Sequence, residues 1–300
     1  MQIRRCLTLV VLELLVAQQI LVAAPVRIMP LGDSITYRYG KDNKAKIQNY
    51  RYWLWRRLID EGIAFDFVGT KQDEYIEKWP SDYPDYQGYS MDPDNEGNRG
   101  ATYNSINNSF KNALKTVEVD WVLVYGGAND LRYGCDNPEE VGDKCRETIR
   151  IAREANPDMV IFVGLLATCA ESSCREVFNA RQRANCEELT TEQSPVYAVD
   201  FGHVEASDGC HVSTSGGKTM ADGWIEAIKA HLDGEPGVDL ASSVTGTSGG
   251  FLIRASGDKG RGSCFRLTGA KLPGGNGVVE NAFSVDGRRA LRAPGFARGR

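Results

Sequence analysis

The chain has only three histidines in 300 residues, no CxxC pair, and no excess of positive charge. Each shortage excludes something. Zinc sites of the usual spacing need paired Cys and His ligands that are absent here. A net charge of -5 gives no general basic face for nucleic acid. No internal repeat points to a solenoid or propeller. The apolar run Cys6 to Val16 is broken by Glu13 and is a poor bilayer span. The composition is otherwise ordinary for a soluble globular protein, with 42% hydrophobic and 25% charged residues. The length suits one large domain, or a domain with an appendage.

The two ends read differently from the middle. Arg4 and Arg5, the apolar run and the small residues of Leu21 to Ala24 form a secretory signal, residues 1–24, cut near Ala23 or Ala24. Pro25 fits that cut less well, and an uncleaved anchor is the rival reading. Removing Cys6 leaves seven cysteines, six of them between Cys135 and Cys210 and the seventh, Cys264, near the C-terminus. In an exported protein six cysteines read as disulfides, with fifteen possible full pairings. If Ser172 to Leu189 is one helix, Cys174 and Cys186 lie about 18 Å apart along it and cannot bridge. Asn107-Asn108-Ser109 is a glycosylation sequon. Residues 235–300 carry ten Lys/Arg against five Asp/Glu, with much Gly and little apolar material. They read as a low-complexity, disordered tail, although "FLIRASG" and "GSCFRLTG" have the character of stray strands.

Between 25 and 234, apolar runs alternate with helix-like stretches. "VRIMPL", "FDFVGT", "VDWVLVYGG", "DMVIFVGLLA" and "VYAVDF" read as strands, and helical spacing recurs between them. Lys71 to Asn98 reads as a long loop. Five alternations predict a three-layer α/β/α sandwich around a five-stranded parallel sheet. Right-handed crossovers then place every strand's carboxyl end on one edge, where such folds hold ligands.

Several residues with useful chemistry fall at those ends. Ser34 follows the first strand in "GDSI"; its plain reading is a turn or helix cap, and its chemical reading is a nucleophile, which needs a histidine base. His231 lies at the end of the last helix and reads as a C-terminal helix residue. His203 follows the fifth strand. His211, in "DGCH", has Asp208 three residues before it, able to hold the imidazole Nδ1 and aim Nε2 outward. Gly100 in "EGNRGATY" and Asn129 in "GAND" offer a backbone and a side-chain N–H, the donors a tetrahedral oxyanion requires. Their plain readings are a loop glycine and a helix cap. A second serine string, "GTSGG" around Ser248, lacks the preceding strand and following histidine of a nucleophile elbow.

In order, "GDSI", the Gly100 block, "GAND" and "DGCH" resemble the blocks of the SGNH (GDSL-type) hydrolases, over Val26 to Leu232. The flanks "RIMPLGDSIT", "YRYWLWRRL", "FDFVGT", "DPDNEGNRG" and "DGCHVSTSGGKTMADGW" are similar to carbohydrate esterase family three, which includes acetylxylan esterases. The resemblance implies Ser34 as nucleophile, His211 as base and Asp208 as its orienting acid. It also implies an oxyanion hole from the Ser34 and Gly100 N–H groups and the Asn129 amide, with no metal and no organic cofactor. Arg99, Ala128 and Cys210 depart from the family's usual residues; Arg99 beside the oxyanion donors favours a substrate rich in hydroxyls or negative charge. The expectation is a secreted, monomeric serine esterase, a glycoprotein away from nucleic acid and membrane, acting on an acetylated polysaccharide or oligosaccharide. Tyr75, Trp79, Tyr83, Tyr86 and Tyr89 of the long loop are its candidate sugar-stacking residues. Small aryl or lipid esters are the rival substrates, and a non-catalytic binding protein on the same scaffold is the rival class.

Overall fold

The computed structural model describes residues 24–37, 49–72 and 83–234 in full, and the backbone of 251–254 and 264–267. The proposed signal, Tyr75, Trp79 and Ser248 lie outside the described residues. Two strands, β4 (Trp121–Tyr125) and β5 (Val160–Gly164), are buried at every position. A strand covered on both faces, as inside a parallel sheet with helices on each side, buries every side chain, which explains their unbroken apolar sequence. β1 (Val26–Gly32) pairs with β4, and β6 (Val196–Val199) pairs with β5, all in parallel. With β2 (Phe65–Phe67) on the outer side of β1, the strand order is β2-β1-β4-β5-β6.

The sheet has a sixth member where five were predicted. Glu96–Gly97 forms β3 and pairs with Leu31 and Gly32, beyond the point where β2 leaves β1. A two-residue strand has no readable alternation, so it hides inside the long loop. Its glycine is required by close approach. A Cβ on Gly97 would lie 2.4 Å from the Tyr37 backbone nitrogen, in the helical turn α1 (Ser34–Tyr37).

Helices cover both faces. α2 (Tyr50–Asp60) packs with α7 (Thr214–Leu232); α3 (Tyr103–Ala113) packs with α5 (Pro138–Ala155), and α5 with α6 (Ser172–Leu189). α4 (Ala128–Leu131) is a single turn after β4. Their starts follow local chemistry. The Asn49 side chain accepts the Arg51 and Tyr52 N–H groups, Ser213 accepts that of Gly216, and Pro138 opens α5. Arg51 is fully buried and donates to the carbonyls of Thr36 and Pro93, fastening α1 to α2.

Two expectations need correcting. Asn107 is buried on α3, its amide nitrogen donates to the Lys144 carbonyl, and its oxygen accepts from Thr148. A glycan has no access to it. Four of the six central cysteines form two bridges, Cys135–Cys174 and Cys169–Cys210, while Cys145 and Cys186 are buried outside these two bridges. In the tail, β7 (Phe251–Arg254) and β8 (Cys264–Leu267) pair antiparallel. Among the described residues no helix is long and apolar enough to cross a membrane.

Gly97→Ala forces backbone apart between β3 and α1, and overpacking of this kind costs about 1–3 kcal/mol. The expected result is a melting temperature lowered by several degrees, read by circular dichroism; an unchanged melt would show that the contact relaxes freely.

Candidate active site

The carboxyl edge of the sheet gathers the predicted residues. Ser34 opens α1 directly after β1 and is almost buried. Its Oγ lies 3.2 Å from His211 Nε2. The His211 Nδ1 lies 2.9 Å from Asp208 Oδ2. The other carboxylate oxygen of Asp208 accepts the backbone N–H groups of His211 (2.7 Å) and Cys210 (3.1 Å). Burial alone would raise the Asp208 pKa, but these three hydrogen bonds outweigh it and bring it to about 2. A carboxylate that stays charged behind an imidazole fixes its tautomer and favours its protonated form.

The other histidines are elsewhere. His203 is exposed. The His231 Nδ1 lies 3.0 Å from the Tyr197 hydroxyl, and its ring packs edge-on against Trp121 at the start of β4, away from the edge holding Ser34.

The donor loop is built from β3 onward. The Asn98 N–H donates to the Gly32 carbonyl, and Ala101 N–H to the Asn98 carbonyl. Gly100 between them has φ +71°, a conformation that suits glycine. The Asn129 side-chain nitrogen donates to the Ala101 carbonyl at 3.0 Å, so the Gly100 and Asn129 donors are tied into one unit. Behind it, Asp130 accepts the Tyr103 N–H and pairs with Lys144.

Three features were invisible in the sequence. Glu96 is buried and accepts from Lys71, Ser109 and Thr70. Burial opposes its charge, yet those donors hold its pKa below the ordinary value. Lys71 and Ser109 also bond the Asn98 side chain, so the cluster braces the donor loop. Asp33, beside Ser34, is fully buried; Oδ1 accepts the Ile35 N–H and Oδ2 meets no donor among the described residues. Burial and the nearby Asp130 push its pKa to about 7. Third, Tyr83 and Tyr86 pack back on α2 rather than over this edge. Tyr83 stacks on Tyr52, and Tyr86 packs on Trp55 and bonds Asp60, the last residue of α2. They cover the flank of α2, which corrects their reading as sugar platforms. Among the described residues no cluster of three or more His, Cys, Asp or Glu could hold a metal ion.

Fold and site together define a three-layer α/β/α scaffold with a serine, a histidine and a carboxylate in line at one sheet edge. The model of the GDSL-like lipase/acylhydrolase family matches residues 31–219, and the chain belongs to that family. A multidomain esterase of Ruminococcus flavefaciens is 26% identical over 77% of this chain, and the chain spans 32% of that relative's length. Among solved structures, a carbohydrate esterase family 3 protein from Talaromyces cellulolyticus is 25% identical, with TM-score 0.57, over 69% of this chain and 99% of that one. A mutant acetyl esterase with an acetate ion gives 25% identity and TM-score 0.56 over the same shares, 69% and 99%.

Asp33 generates a pH test. In the unfolded chain it loses its proton near 4, and in the fold near 7, so between those values the native state binds more protons and stability falls as pH rises. Asp33→Asn keeps the Ile35 bond without the charge. The variant is expected to gain on the wild type by several degrees in melting temperature between pH 4 and pH 8. A constant difference across that range would count against a raised Asp33.

Proposed function

We propose that the chain is a secreted serine esterase that removes acetyl groups from a carbohydrate, with Ser34 as nucleophile, His211 as base and Asp208 as the acid that orients it. The observation that carries the reading is the continuous line Ser34 Oγ, His211 Nε2, His211 Nδ1, Asp208 Oδ2, with steps of 3.2 and 2.9 Å. As Ser34 Oγ attacks the ester carbonyl, His211 takes its proton. The carbonyl oxygen becomes an oxyanion between the Ser34 and Gly100 N–H groups and the Asn129 amide. His211 then gives its proton to the departing sugar oxygen, leaving acetyl-Ser34 and a free hydroxyl. Water repeats the sequence: His211 takes its proton, the acetyl group leaves as acetate, and Ser34 is restored.

The carbohydrate half rests on likeness to the Talaromyces carbohydrate esterase and the acetyl half on likeness to the mutant acetyl esterase, both at 25% identity. Export is supported by the leader-like N-terminus and by the two disulfides, which persist in oxidising compartments.

Ser34→Ala and His211→Ala are each expected to abolish hydrolysis of p-nitrophenyl acetate while the protein stays folded, because nucleophile and base act as one unit. If His203→Ala were the inactive variant instead, the base would be misassigned. Asn129→Ala should lower kcat by about a hundredfold to a thousandfold with KM nearly unchanged, since its donor acts on charge present only in the transition state. For the substrate, acetate release from a panel of acetylated glycans is compared with p-nitrophenyl esters of rising chain length. Preference for long acyl chains would replace the carbohydrate reading with a lipid one.

A further inference from the structure

Ser34 follows β1, whereas His211 follows β6, and β4 and β5 lie between them. Neighbouring strands are about 4.8 Å apart, so the base's turn starts about 14 Å from the nucleophile's strand. The bonds within that turn, from Asp208 to Cys210 and His211 and from Ser207 to the His211 carbonyl, fix its shape but not its place over the sheet.

A second set of contacts spans the gap. The hydroxyl of Tyr125, the fully buried last residue of β4, accepts the Ala167 N–H at 3.2 Å, which ties the sheet to the segment carrying Thr168. Thr168, also buried, donates to the Cys210 carbonyl at 2.6 Å. That carbonyl accepts only, so the Thr168 proton points at Cys210. The next residue, Cys169, is bonded to Cys210 through sulfur, and its N–H donates to the Gly209 carbonyl at 3.2 Å. Cys169 holds φ +76° to do so, a region costly for any residue with a Cβ. Strained backbone, a buried hydroxyl and a covalent bond thus converge on the residue immediately before His211.

We propose that Thr168 and the Cys169–Cys210 bridge are positioning residues for His211: with Tyr125 they form a strut from the central sheet that sets the distance between base and nucleophile. Neither touches the substrate. The proposal rests on His211 acting as the base.

The test measures kcat, KM and the pH profile of kcat on p-nitrophenyl acetate, with melting temperature, for Thr168→Val, Thr168→Ser, Cys169→Ser/Cys210→Ser and Cys135→Ser/Cys174→Ser, beside Ser34→Ala. Displacing a catalytic group by about 1 Å can cost a hundredfold. Thr168→Val is expected to lower kcat by about tenfold to a hundredfold, to leave KM within about twofold, and to displace the acid limb of the pH profile. Thr168→Ser, which keeps the donor, should return kcat to within about threefold of the wild type. The Cys169/Cys210 pair should lose kcat in the same way, and the Cys135/Cys174 pair should not. The Thr168 pair decides the matter even if the double serine variant does not fold. Wild-type kcat and an unmoved pH profile in Thr168→Val would overturn the strut, as would equal kcat losses in the two cysteine pairs. Full activity in Ser34→Ala would instead remove the esterase assignment itself, so the two failures are distinguishable.

Discussion

The parallel pairing of β1, β4, β5 and β6 is the constraint on which the rest depends. Each buried strand must satisfy its backbone groups through its neighbours, so the register Gly32 with Tyr125 with Gly164 with Val199 is fixed by the ladder. Those four residues end their strands together. The segments after them therefore emerge at one level: Ser34 after β1, Asn129 after β4, Thr168 after β5 and the Asp208–His211 turn after β6. The chemistry is assembled by backbone hydrogen bonds before any side chain at the edge contributes.

The edge is then stiffened by buried polar groups, each with a geometric reason. Glu96 is charged because four donors converge on it, and the result is a rigid Asn98 beside Gly100. Asp130 pairs with Lys144 and accepts the first N–H of α3, which holds Asn129 and the Gly100 loop in one frame. Asp33 is the exception, a fully buried carboxyl with one oxygen unserved among the described residues, and burial raises its pKa.

How much of this was legible depends on the range of each signal. β4 and β5 were plain because burial on both faces leaves an apolar run, and Ser172–Leu189 was plain because helical spacing is local. The Asp208–His211 pairing spans three residues and could be read directly, whereas Ser34 and His211 were linked only by family resemblance. β3 was missed because two residues carry no period. The cysteine connections join segments 39 and 41 residues apart, beyond any local pattern. Asn107 misled for a different reason. A three-residue sequon says nothing of burial, yet Asn107 shares the covered face of α3 with Tyr103, Ile106 and Phe110. Weighing helical phase against the motif would have found it. The tyrosine loop failed because composition gives no direction to a chain that turns back along α2.

The 177 residues between Ser34 and His211 have a consequence for how the molecule comes into being. The carboxylate and imidazole are near neighbours in the chain and can meet early, but the hydroxyl belongs to the first strand made. Nascent chains that have not yet delivered the Asp208–His211 turn hold the Ser34 hydroxyl without its partner, and so do fragments clipped anywhere between the two. Parallel topologies rich in such distant contacts fold slowly. The Ser34–His211 contact therefore closes only once the strands between them are in place, and in a refolding experiment it reports pairing of the sheet rather than of any one segment.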